Sequence, residues 1–219
     1  MNTQHSYHIK ADQWREHWGN KYSTREKRAI FAELFDGIGI NVWGQTLVDV
    51  GSGEDPVSHY FPGIAKVISI DLHGEEEEIL YTLHLRLDIE EIANETSIAA
   101  RSAIQKAAIF LGVRTGKEAC TEEQKRQVDM MVFSEVLNYV DYRKVLGACE
   151  KYLRPRGRFI ILNQPMRGFD ELFSEHGVKN NTSLVEYVES LGFKIEWKNM
   201  PSSSLENRNE MLMLIAKKS

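Results

Sequence analysis

Apolar positions along this chain fall into two kinds of run. The first is short and mostly continuous, at residues 47–50, 66–71, 128–133, 159–162 and 211–217, with a shorter alternation at Leu83, Leu85 and Leu87 and a further strand read at 193–198. Continuous apolar runs of this length read as strands buried on both faces. The second kind has helical spacing. Ile30, Leu34 and Phe35 form one stripe, and Ile104, Ala107, Ala108 and Leu111 another. Tyr142, Val145, Leu146, Cys149, Tyr152 and Leu153 form a third, and Leu184, Val185, Val188 and Leu191 a fourth. Strand and helix signals alternate, which predicts an α/β domain with a mostly parallel sheet of seven strands and helices on both faces. The acidic run 75–78 is read as a solvated helix start, where carboxylates suit the helix dipole. Residues 153–158, with Pro155 and Gly157, are read as the turn into the fifth strand.

The first strand ends in Gly51-Ser52-Gly53, and the second ends in Asp71, twenty positions after Gly51. Glycines there let the backbone turn tightly and approach a ligand closely. An acid at the tip of the next strand is placed to accept hydrogen bonds from a ribose diol. Together they predict a nucleotide-type cofactor across the carboxyl ends of the first two strands. A dinucleotide fingerprint would carry a small residue where Pro56 stands. Glu54 and Asp55 would repel a pyrophosphate and tolerate a cation.

With Asp49, Gly51, Gly53 and Asp71 in place, the chain resembles the class I, Rossmann-like S-adenosylmethionine-dependent methyltransferases. Their first motif is an acid, any residue, then Gly-x-Gly; Asp55 stands where a third Gly is common. The resemblance extends through the strand at 128–133, the helix after it, the L-x-P-x-G turn at Leu153 to Gly157 and the strand at 159–162, and so covers roughly residues 47–162. It implies S-adenosylmethionine as cofactor, a sheet ending in an antiparallel hairpin, and an N-terminal helical lid over residues 1–45 ahead of a cofactor-binding domain at 46–219. It also implies a cofactor site of Asp49, Gly51, Ser52, Gly53, Asp71, Leu72, Asp88, Ile89 and Ser134. For Asp88 the residues leave a second role open, that of N-cap to a helix begun by Glu90 and Glu91.

Composition narrows the acceptor. The 219 residues suffice for one sizeable core, and the net charge of −5 argues against a broad nucleic-acid surface. Nucleic-acid amino-methylating relatives carry an Asn/Asp-Pro-Pro-aromatic motif after the fourth strand, where this chain has Ser134-Glu135-Val136-Leu137. A small-molecule substrate is therefore expected, methylated at N or O. A protein or RNA substrate, and a catalytically silent cofactor-binding scaffold, stand as alternatives. No apolar run is long enough to span a membrane, and Cys120 and Cys149 lie far apart outside any CxxC. A cytoplasmic protein with reduced thiols is expected, with no metal cluster; the oligomeric state is not legible.

Methyl transfer is an in-line displacement at carbon. The protein aligns the nucleophile and excludes water. Residues at the strand tips and in the lid are the candidates. Glu135 and Tyr22 are assigned catalytic roles, and Trp18, Asn138, Tyr139, Asn163 and Gln164 substrate contacts. An acid at Glu135 can hold a cationic group or accept a proton. Arg154, Arg156 and Arg158 resemble a phosphate patch but fall at the opposite edge of the sheet, where a solvated turn is expected.

Overall fold

The computed structural model describes residues 39–53, 63–72, 76–94, 96–112, 127–163, 174–199 and 212–219. The chain divides between Asn41 and Val42 into two units, and the whole sheet belongs to the second. Eight strands make that sheet: β1 (Thr46–Val50), β2 (Lys66–Asp71), β3 (Glu77–Ile79), β4 (Thr82–Arg86), β5 (Val128–Ser134), β6 (Leu153–Asn163), β7 (Phe193–Asn199) and β8 (Leu212–Lys218). Their order is β3-β4-β2-β1-β5-β6-β8-β7. The run from β4 to β6 is parallel, and β8 and β7 close one side antiparallel.

Three α-helices are described: α1 (Ile98–Phe110), α2 (Tyr142–Glu150) and α3 (Asn181–Ser190). Each opens on a polar cap. Ser97, Asp141 and Asn180 accept from the amides of Ala100, Lys144 and Ser183, which satisfies N–H groups that the first helical turn leaves unpaired. A 3₁₀ turn, Ile89–Ala93, follows β4 and is capped by Asp88.

The helices contribute to one core with alternate strand residues: Val48 and Val50, Ile68 and Ile70, Met131 and Phe133, Phe159 and Ile161 meet Phe110, Leu146, Leu184 and Val188. Phe159 stacks on Phe193 at 4.4 Å and meets Phe133 edge-on at 5.2 Å. The intervening residues Leu47, Met130, Val132, Ile160 and Ile215 are buried as well. Both faces of the central strands are therefore withdrawn from water, as their mostly continuous apolar runs require.

Two expectations are corrected. The sheet has eight strands, not seven, because residues 77–79 pair antiparallel with β4 instead of starting a helix. Backbone pairing to Thr82, Leu83 and His84 holds this edge strand, and its three side chains are exposed. Residues 153–158 are also not a separate turn. They belong to β6, where the pairing jumps from Val128↔Leu153 to Met130↔Arg158 and Arg156 takes a positive φ of 66°.

The arginines there are absorbed structurally. Asp129 gathers β1, β5 and β6: its carboxylate accepts from the Thr46 amide at 2.8 Å and hydroxyl at 2.7 Å and pairs with Arg154 at 2.9 Å. Arg158 on β6 reaches across β8 to Glu196 on β7 at 2.7 Å, and Lys217 on β8 adds a second cation at 3.5 Å. Partial burial pushes the Glu196 carboxyl up, but the hydrogen bond and charge of Arg158, with Lys217, outweigh it and hold the group below its usual range. A carboxyl lowered by folding stabilises the fold above the ordinary carboxylate range, and that contribution is lost as pH falls through the lowered value. Glu196→Gln is therefore expected to flatten the acid limb of a stability–pH curve below about pH 4, measured by urea unfolding. An unchanged acid limb would show that the three-strand cluster carries no net stability.

Candidate active site

The carboxyl ends of β1, β2, β4, β5 and β6 meet along one edge of the sheet. The strand order reverses on either side of β1, and a crevice opens for ligands at such a switch point in parallel α/β sheets. The turn after β1 is shaped by two residues in the left-handed region, Gly51 at φ 72° and Gly53 at φ 60°. Gly51 is also a close approach, since a Cβ built there would lie 2.4 Å from a Val136 methyl carbon. The turn is tied to β2 by polar contacts. The Gly51 amide donates to the Ile70 carbonyl at 2.8 Å, and the Gly53 amide donates to an Asp71 carboxylate oxygen at 2.9 Å. The hydroxyl of Ser69 donates to that of Ser52 at 2.6 Å. Asp49 is wholly buried within β1, and Leu72 is half-buried beside Asp71.

At the end of β4, Asp88 caps the 3₁₀ turn, its carboxylate accepting from the Glu90 amide at 3.0 Å. Burial pushes the Asp88 carboxyl up, the Glu90 amide works against this, and the charges of Glu90 and Glu91 add to it. The capping role is thus real. Ile89 is buried beneath the turn. Glu90 also accepts from the Asp141 amide at 2.7 Å, joining this turn to the start of α2.

β5 ends in Ser134, and Glu135 follows with a φ of 58°. A non-glycine residue in this region costs roughly 1–2 kcal/mol. The Glu135 amide donates to the Leu162 carbonyl at 2.7 Å, so the strained residue is fixed against β6. Beyond it Asn138 is buried and Tyr139 half-buried. The backbone of residues 174–178 closes on this turn: the Ser174 amide donates to Asn138 at 3.3 Å and the Val178 amide to Leu137 at 3.1 Å. A Cβ at Gly177 would lie 2.2 Å from the Asn138 carbonyl oxygen. At the tip of β6, Asn163 is wholly buried and donates its amide to the Asn181 side chain at 3.1 Å. The oxygen of its side-chain amide has no hydrogen-bond partner among the described residues.

The edge therefore gathers Asp49, Gly51, Ser52, Gly53, Asp71, Leu72, Asp88, Ile89, Ser134, Glu135, Asn138, Tyr139 and Asn163 onto neighbouring strand ends. Trp18, Tyr22 and Gln164 lie outside the described residues, as do Glu54, Asp55 and Pro56. Three contributors were not singled out from the sequence. Val136 closes on Gly51, Asn181 holds Asn163, and Ser69 meets Ser52. Only Ser69 carried a signal, as the lone hydroxyl in the apolar run 67–70.

No protein-family model matches the chain, and no curated protein sequence matches it. Solved structures do. The N1-methyltransferase of 1,6-didemethyltoxoflavin from Burkholderia thailandensis, solved with that compound and S-adenosylhomocysteine, is 16% identical, with a TM-score of 0.59 over 100% of this chain and 92% of its own. The N-methyltransferase NodS from Bradyrhizobium japonicum, solved with S-adenosylhomocysteine, is 11% identical, with a TM-score of 0.61 over 97% and 98%. Magnesium protoporphyrin IX methyltransferase from Synechocystis, also solved with S-adenosylhomocysteine, is 15% identical, with a TM-score of 0.56 over 96% and 94%. The chain has their fold. At this identity the likeness speaks for architecture, and the chemistry has to come from the edge itself.

Gly51→Ala tests the close approach. The new methyl meets Val136 and the positive φ disfavours any side chain, so a destabilisation of about 1–3 kcal/mol is expected in urea unfolding. Val136→Ala in the same chain should recover only part of the steric cost, because the Cβ that alanine keeps stands 2.7 Å from the new methyl. No destabilisation would show that the turn accommodates a Cβ.

Proposed function

We infer that the chain is an S-adenosylmethionine-dependent methyltransferase acting on N or O of a small metabolite. The observation that carries this reading is the glycine turn after β1 held on the Asp71 carboxylate at the switch point of the sheet. The donor set fits the cofactor. A carboxylate has lone pairs for several donors, so Asp71 can serve the Gly53 amide and a ribose diol together. The turn offers no lysine or arginine for a pyrophosphate, in keeping with a cofactor that has no phosphate. All three compared proteins are methyltransferases and were solved with S-adenosylhomocysteine, which supports the same assignment here.

When bound, the cofactor supplies a methyl group on a good leaving group. In this reading the residues of the chain do the rest. Gly51, Ser52 and Gly53 bring the backbone close to the ligand. Asp71 accepts from the ribose, Leu72 offers apolar surface to the base, and the backbone amide of Ile89 meets the ring. Asp88 accepts from the exocyclic amine while it caps the 3₁₀ turn, and Ser134 lines the floor between β1 and β6. Glu135, presented by its strained backbone, accepts a proton or holds a cationic group on the acceptor. Asn138, Tyr139 and Asn163 orient that acceptor. A small-molecule substrate accords with the acidic net charge.

Calorimetric titration with S-adenosylhomocysteine, with NAD as control, is expected to give micromolar affinity for the former alone. Asp71→Ala should weaken that binding by about 1–3 kcal/mol through lost charge-assisted hydrogen bonds. Absence of binding to the unaltered chain would overturn the cofactor assignment. Unchanged affinity in the variant would remove Asp71 from the site.

Glu135→Gly separates strain from chemistry. Relief of the positive φ should stabilise the fold by up to about 1 kcal/mol in urea unfolding, while turnover of a methyl acceptor falls and cofactor affinity holds. A variant as active as the parent would leave Glu135 a purely structural position.

A further inference from the structure

Two exposed features away from the ligand edge carry opposite charges, each beside small or apolar surface. The first is the hairpin that joins β3 to β4. From Glu76 to Tyr81 every residue is exposed, three acids followed by three large apolar side chains. Ile79 is 51%, Leu80 85% and Tyr81 68% exposed. Leu80 turns the corner at φ 51°, where a two-residue hairpin with positive φ favours glycine. A leucine there keeps a large apolar side chain in water at the cost of backbone strain. Large apolar side chains clustered at the surface mark contact sites more often than chance exposure does. The acids at Glu77 and Glu78 oppose edge-to-edge pairing of β3 with another β3, since like charges would face each other. The tip therefore calls for a different kind of receiver, apolar at its floor and cationic at its rim.

The second feature is such a receiver. A groove of about 410 Å³ runs along the outer side of α2, lined by Ala93, Arg143, Lys144, Gly147, Ala148, Lys151 and Tyr187. Its floor is Ala93, Gly147 and Ala148, with Tyr187 as one wall. A Cβ at Gly147 would come within 3.2 Å of the Tyr187 hydroxyl, so glycine keeps the groove open at that point. Arg143, Lys144 and Lys151 stand exposed along it in a chain of net charge −5. Arg143 is held in place. Its guanidinium sits 5.6 Å and 5.7 Å from the Tyr142 and Tyr187 ring centres, and its Nε donates to the Tyr142 oxygen at 3.1 Å. The Tyr187 hydroxyl donates to the Arg143 carbonyl at 2.8 Å. Among these cations Lys144 is paired with Asp141 at 3.0 Å, and Glu90 is turned to the Asp141 amide.

We propose that the hairpin of one copy docks in the α2 groove of a second copy, Leu80 and Tyr81 on the small-residue floor and Glu77 and Glu78 toward Arg143 and Lys151. The contact is heterologous, because its two halves are different surfaces of the same chain, and association is head to tail. It does not depend on the methyltransferase reading, because neither surface includes a residue of the ligand edge.

Sedimentation velocity across a concentration series tests it. The unaltered chain should gain mass with concentration and lose it as salt screens the charges. A hairpin variant, Leu80→Asp with Tyr81→Asp, and a groove variant, Arg143→Glu with Lys151→Glu, should each stay monomeric alone. Mixed in equal amounts they should form a dimer that grows no further, since each supplies the surface the other lacks. All four positions are exposed, and unchanged circular dichroism and melting temperature would show that the variants fold. The proposal is overturned if the unaltered chain stays monomeric at high-micromolar concentration, if either variant still associates alone, or if the mixture stays monomeric. A monomeric parent whose melting temperature rises with pyrophosphate, and whose groove variant loses that rise, would give the groove to a small anion instead.

Discussion

The ligand edge depends on one hydrogen bond, from the Gly53 amide to the Asp71 carboxylate. It joins a turn whose one side chain among residues 51–53 is that of Ser52 to the tip of the neighbouring strand. The turn is bounded on the other side by Val136, packed where a Cβ of residue 51 would stand. Three strand ends are located relative to one another by these two contacts, one polar and one steric. A charge-assisted bond to a carboxylate is among the stronger polar contacts available to a backbone amide. Asp71 thus organises this edge through its hold on the turn.

Most of the sheet was legible because its central strands are apolar runs interrupted only at single positions such as Asp49, Ser69 and Asp129, and such runs admit few other readings. Glu77–Ile79 was not, because it carries two acids and one apolar residue and is held by backbone pairing alone. Its acids suit a helix start as well as a strand edge, and only the partner strand decides. The irregularity in β6 was hidden for a similar reason: Pro155 and Gly157 signal a break, and the chain breaks its pairing there without leaving the strand.

The edge residues were legible where chemistry and position coincide. Asp71 and Glu135 are acids at strand tips, a place where a carboxylate is not demanded by packing. Their supports were not legible. Asn181 lies eighteen residues beyond Asn163 on a helix, and nothing in the spacing foretells that the two amides meet. The strain at Glu135 is likewise a property of the backbone path between β5 and α2, which no side-chain pattern encodes. Cys149, read as one member of an apolar stripe, is in fact fully buried, and burial alone pushes its thiol up to about 12.

Asp129 carries a consequence for how the chain finds its alignment. A strand with alternating faces cannot slip by one residue without turning its apolar side to water. The central strands here are apolar on both faces, so burial alone would tolerate such a slip in β1 or β5. Thr46 locked to Asp129 at one end of β1, and the Gly53–Asp71 bond just past the other, remove that freedom. The apolar residues drive the strands together, and a few polar ones at their ends choose which of several nearly degenerate alignments is kept.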